Sequence, residues 1–166
     1  REAISAFTAR TAAKLREQKS RAGALMVFIQ TSPFNEQEPF YQNGATRQVV
    51  PPARDSGDLI AVAQDALESI WKDGYRYMKA GVMLLDLSPE DVVQERLFGA
   101  VDNASESERT KLLGVLDGLN EKMGRGTLHY AAEGDGKAWK MRQDHRSPGY
   151  TTRWGELPIA RAADTP

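Results

Sequence analysis

The sequence predicts an α+β fold, on three observations. Within residues 1 to 88 two segments carry apolar residues at helical spacing, three short runs of strand-forming residues are bounded by Pro, Gly and Asn, and helix and strand do not alternate regularly. Along residues 1 to 88 the order is α-β-β-α-β, and a small helical and irregular C-terminal extension follows.

The chain opens in a helical pattern, with Ile4, Phe7, Leu15 and intervening alanines on one face and Arg10, Lys14 and Arg16 elsewhere. Ala24 to Thr31 (ALMVFIQT) reads as a buried strand closed by Ser32-Pro33, because Pro cannot donate to a ladder. Residues 33 to 44 read as loop, with Asn43-Gly44 supplying a turn. Ala45 to Val50 is a second, more polar strand that stops at Pro51-Pro52. Asp55-Ser56-Gly57-Asp58 offers N-cap side chains for a helix in which Ile60, Ala63, Leu67, Ile70 and Trp71 recur up to Gly74. Tyr77 to Leu87 is a third strand, mostly apolar and so expected in the interior of a sheet. After Ser88-Pro89 the chain turns acidic and polar, which places a boundary there and a linker over residues 89 to 104. Ser105 opens a capping box with Glu108, and Leu112, Leu116, Leu119 and Met123 form a stripe before the Gly124 stop. Thr127 to Ala131 reads as a short strand, and the remainder sets Trp139, Met141, Tyr150 and Trp154 among basic and turn residues.

Composition narrows the function classes. With 166 residues and 40% hydrophobic content the chain can bury an ordinary core. The absence of cysteine excludes a disulfide framework and a Cys-based zinc site, and fits a reducing intracellular compartment. No apolar run is long enough to span a bilayer, so a membrane role has no support. Twenty-two basic residues against 23 acidic ones give no global field for nucleic acid. Basic character is local, in Lys14 to Arg21 and in Lys137 to Arg153.

Catalytic motifs are missing. His129 and His145 stand in no metal-ligand spacing, Gly124-Arg125-Gly126 follows a helix and is no phosphate loop, and nothing converges on Asp86 and Glu90. Binding features are better represented. Gln94 to Phe98 (QERLF) offers one amide and two adjacent apolar side chains, as a docking peptide would. The competing reading takes Ser88-Pro89 as a helix start and Val92, Val93 and Leu97 as the buried stripe of that helix. Thr31, Ser32, Thr46, Arg47, Arg76 and Lys79 lie on or next to the strands, where side chains and free N–H groups can meet phosphate oxygens. A solvated sheet face explains them equally well. The aromatic and basic stretch Lys137 to Trp154 fits either a grip on single-stranded nucleic acid or the core of a small appendage.

Several stretches together resemble the C-terminal part of the UmuC family, the catalytic subunit of bacterial DNA polymerase V and a Y-family translesion polymerase. They are Arg1 to Arg16, Phe28 to Phe34 (FIQTSPF), Asp65 to Leu84, Gln94 to Phe98, Leu119 to Leu128, Trp139-Lys140-Met141 and Ser147 to Arg153 (SPGYTTR). The resemblance implies that residues 1 to 88 are like the little finger, a β-α-β-β-α-β sheet packed by two helices that lies along template and primer. The first strand of that order would precede this chain. Thr127 to Ala131 or a neighbouring chain is then expected to fill the vacant edge. It also implies that Gln94, Leu97 and Phe98 anchor a peptide for the β sliding clamp, that the domain grips primer-template DNA largely through backbone and basic groups, for which Thr31, Ser32, Thr46, Arg47, Arg76 and Lys79 are the candidates read from the strands, and that residues 105 to 166 are the UmuC-type extension. Catalytic carboxylates and magnesium belong, by the resemblance, to a palm outside these residues, which leaves the fragment itself without cofactor or enzymatic activity. The family further implies a UmuD-type accessory subunit and RecA as partners, a role in SOS mutagenesis and DNA repair, and a cytoplasmic, nucleoid-associated location. A purely protein-binding module and an enzyme with an unfamiliar site are the alternatives.

Overall fold

A computed structural model describes residues 1–35, 37–91, 103–135, 139 and 145–159. The first helix, α1 (Glu2–Glu17), turns directly into strand β1 (Ser20–Thr31). Strand β2 (Gln42–Ala53), helix α2 (Ser56–Ile70), strand β3 (Tyr77–Pro89) and helix α3 (Asn103–Met123) follow, with short 3-10 turns at Ala131–Glu133 and Trp154–Glu156. The fold is α+β: a three-stranded antiparallel sheet in the order β2-β1-β3, with α1 and α2 on one face. This arrangement is consistent with the expected little-finger-like fold.

The core lies between sheet and helices. In β1, Leu25, Val27 and Ile29 point to the helices and are 1% exposed or less, while Met26, Phe28 and Gln30 between them point the other way. Ile4 and Leu15 from α1, and Leu59, Ala63 and Leu67 from α2, complete the layer. Two polar residues are sealed inside it. Thr8 donates its hydroxyl to the Ile4 carbonyl at 2.7 Å, and Ser5 Oγ accepts from Gln64 Nε2 of α2 at 2.8 Å. The cap predicted for α2 is present, Asp55 Oδ1 accepting from the Gly57 and Asp58 amides.

Five sequence expectations are corrected. Strand β2 does not stop at Pro51-Pro52. Its pairing with β1 jumps from Ala24↔Gln48 to Ala22↔Ala53, so both prolines sit in a bulge of an edge strand, where a missing amide costs no ladder bond. Asn43-Gly44 is no turn but part of that ladder, opposite Ile29 and Phe28. Strand β3 is an edge rather than interior; its apolar content serves two half-covered faces, and Met83 and Leu87 stay half exposed. Thr127 to Ala131 forms no strand and fills no sheet edge. Both Leu128 backbone groups bond the Asn120 side chain at 2.9 Å, which ties the segment to α3. The inward side of α3 is Leu113, with Leu116 and Asp117 partly covered, whereas Leu112 and Met123 are each 66% exposed.

Residues Tyr130 to Gly134 and Trp139 lie against the helix layer. Trp139 meets Phe7 of α1 edge-on at 5.2 Å. A Cβ at Gly57 would stand 3.7 Å from Tyr130, whose phenol is held above its usual pKa by burial and then by the nearby Asp55 charge. Arg16 of α1 joins three elements. Its Nε and Nη2 donate to Asp117 of α3 at 2.7 Å each, and Nη1 donates to the Arg54 carbonyl at 3.0 Å and to Ser56 Oγ at 2.9 Å. Arg54 in turn pairs with Glu90 and donates to Thr110 Oγ1, while Arg109 pairs with Asp58.

Candidate nucleic-acid interface

Because α1 and α2 gather on one side together with α3, Tyr130 and Trp139, the opposite face of the sheet has no covering element among the described residues. Cross-strand register fixes what that face presents. Thr46, Met26 and Met83 form one row, and Gly44, Phe28 and Gly81 the next. Gln48, Ala24 and Leu85 form a third, and Gln30 stands beside Lys79. A Cβ at Gly81 would fall 2.3 Å from Phe28 Cζ, so glycine is required for the Phe28 ring to lie against β3. Lys79 holds its ammonium 5.9 Å from the same ring centre.

None of these side chains is acidic, in a chain with 23 Asp and Glu. The nearby carboxylates stand on the helix side or are occupied: Asp65 with Arg47, Glu68 with Arg1, Asp58 with Arg109, Glu90 with Arg54. Asp86, at a positive φ of 50°, packs its Cβ against Gly23, where an added Cβ would stand 3.1 Å away. A polyanion approaching the open face therefore meets amides, a hydroxyl, an ammonium and apolar surface, with no fixed negative side chain in the paired rows.

The six residues expected to contact DNA do not all converge. Thr46 and Lys79 share the open face, on the two outer strands with β1 between them. Arg47 points to the helix side and bonds Asp65 at 2.6 Å. Thr31 is 3% exposed and closes the base of the β1–β2 connection, its Oγ1 accepting from the Tyr41 amide at 2.9 Å. Ser32 accepts from the Phe34 amide. Arg76, before β3, is exposed and pairs with Glu38 at 3.1 Å. Gln94, Leu97 and Phe98 lie outside the described residues. Sequence reasoning missed Phe28, Gln30 and Gln48, although alternation along β1 carries the signal for two of them.

Other chemistries find little footing. No group of three or more His, Asp or Glu side chains suited to a metal occurs among the described residues, and His129 is paired with Asp135 at 3.1 Å. No described helix is long and apolar enough to cross a membrane.

The described residues thus form a small α+β domain with two helices on one face of its sheet and, on the other, paired rows without a carboxylate. Residues 1–97 match the impB/mucB/samB family C-terminal domain, and the chain belongs to that family. Residues 110–160 match a domain of unknown function, DUF4113. Among relatives, the chain is 43% identical to protein UmuC of Salmonella typhimurium over 95% of its own length. It is 42% identical to protein SamB and 40% to protein ImpB of the same organism, over 97% and 96% of its length. In each case it spans 37% of the relative.

Proposed function

We propose that this chain is the DNA-gripping and clamp-tethering region of a UmuC-type, error-prone translesion DNA polymerase acting in SOS mutagenesis, and carries no polymerase active site itself. The observation that supports the grip most is the uncovered sheet face without a carboxylate in its paired rows. Phosphate contacts from Lys79 and polar contacts from Thr46, Gln30 and Gln48 would hold primer-template DNA without reading its sequence. Residues Gln94, Leu97 and Phe98 would tether it to the β sliding clamp, the two apolar side chains supplying most of the binding free energy. Magnesium and the catalytic carboxylates belong to the palm of such a polymerase. A UmuD-type subunit and RecA are the further partners, and the setting is the bacterial cytoplasm at the nucleoid.

A second reading has its own observation. Met26, Phe28 and Met83 put apolar surface at the centre of the open face and Lys79 is the one cation in its paired rows, which also suits a protein partner. Binding of the chain to the β clamp and to primed DNA decides between the two. The polymerase reading expects both, with Leu97→Ala and Phe98→Ala together abolishing clamp capture at a cost of about 3 kcal/mol while DNA binding persists. Clamp capture without DNA binding selects the protein-binding reading, and unaltered clamp affinity in the double variant refutes the tether.

A further inference from the structure

The end of the sheet where β1 passes to β2 carries an unusual concentration of rings. Its connection is fastened at the base, Thr31 N donating to the Tyr41 carbonyl at 2.9 Å. Within it the Phe34 amide bonds Ser32 Oγ at 3.3 Å and the Gln37 amide bonds Asn35 Oδ1 at 3.1 Å. The loop thus uses its own polar groups to hold its shape, yet it leaves Phe34 92% and Phe40 56% exposed. Beside it, Tyr41 packs on Tyr75 at 5.0 Å and Trp71 on Tyr77 at 4.6 Å. Those rings have structural work, since Tyr41 donates its hydroxyl to the Ile70 carbonyl and Tyr77 donates to that of Lys72. Phe34 and Phe40 take part in none of the ring contacts.

Charge separates this end from an ordinary apolar patch. Among the described residues its carboxylates are engaged, Glu38 with Arg76 and Asp73 with the Trp71 indole. Lys72, 4.7 Å above the Tyr41 ring, and Lys79 pair with no carboxylate among the described residues. The patch also runs into the open face of the sheet, because Gln30 pairs with Lys79 and Thr31 with Tyr77. Solvated rings at a sheet end that also carries two ammonium groups without a carboxylate partner among the described residues match a strand that offers both base faces and phosphates. A duplex hides its base faces in the stack, so the match is to unpaired nucleotides.

We infer that this aromatic end is a stacking site for unpaired bases of single-stranded nucleic acid, with Phe34 and Phe40 as the stacking rings and Lys72 and Lys79 as the phosphate contacts. The inference rests on the DNA-binding reading above and adds a site that the duplex grip does not need. The test compares the chain with a Phe34→Ala/Phe40→Ala variant by fluorescence anisotropy, on an oligothymidylate of about 12 nucleotides and a duplex of equal length. The expected result is a loss of about tenfold or more on the single strand, with duplex affinity held within about twofold. Phe34→Trp/Phe40→Trp retains single-strand binding. Unchanged single-strand affinity in the alanine variant, or equal loss on both ligands, overturns the inference and leaves the duplex grip standing. Failure of the unaltered chain to bind either ligand overturns both.

Discussion

Replacing Asp117 with alanine removes the carboxylate that ties α3 to the rest of the molecule. The Arg16 side chain is 9% exposed and loses two of its four hydrogen bonds, both to Asp117 at 2.7 Å. Bonds to a charged group contribute about 1.5–3 kcal/mol each, and stranding one partner of a fully buried pair costs about 3–5 kcal/mol. Here the Asp117 side chain is 34% exposed, so water replaces part of what is lost, and the Arg54 carbonyl and Ser56 Oγ still hold Nη1. The expected cost is about 2–3 kcal/mol. With a urea dependence of about 2 kcal/mol per molar, the unfolding midpoint falls by about 1–1.5 M, read by far-ultraviolet circular dichroism and tryptophan fluorescence. Arg109→Ala is the contrast, since its side chain is 55% exposed and its pairs with Asp58 at 3.1 Å and Asp55 at 3.7 Å should together be worth no more than about 1 kcal/mol. A midpoint shift for Asp117→Ala as small as that for Arg109→Ala refutes the claim that Arg16 is what docks α3.

Further outcomes follow from the same geometry. Lys79→Glu weakens duplex binding and reduces the slope of log affinity against log salt by about one, measured by anisotropy titrations at several salt concentrations; an unchanged slope removes Lys79 from the phosphate contacts. Arg47→Gln has the smaller effect on DNA, because Arg47 faces Asp65 on the helix side, so a larger loss than at Lys79 counts against the open face as the grip. Burial raises the Tyr130 phenol above its ordinary value, so its contribution is intact below about pH 10 and is lost as pH rises through the folded-state value. Absorbance titration of the folded chain should show, relative to Tyr130→Phe, one phenol ionising later than a free tyrosine.

Local signals in the sequence located α1, α2 and β1 well, because helical spacing, the Asp55 cap and the apolar run in β1 act within a few residues of one another. The errors came where distant pairing decides. Two prolines end a strand by local rules, yet an edge bulge accepts them once β1 sets the partner register. The apolar run of β3 looks interior, and only the sheet order shows it at an edge. In α3 two apolar residues, Leu112 and Leu113, compete for the inward position, and the Arg16 to Asp117 pair is what selects Leu113. That pair spans 101 positions and has no sequence signature. The open face is half legible in the sequence: polarity on strands picks out Thr46 and Lys79, which lie on it, whereas the turning of Arg47 and Thr31 to the opposite side follows from register alone.

The methionines allow the open face to be watched directly. Met26 and Met83 stand side by side on it, Met78 lies near its aromatic end, and Met123 is exposed on α3. In a chain carrying 13C-labelled methionine methyl groups, adding primed duplex DNA should shift the Met26 and Met83 resonances and leave Met123 in place. A titration that moves Met123 while Met26 and Met83 stay fixed contradicts the assignment of the sheet face as the DNA grip.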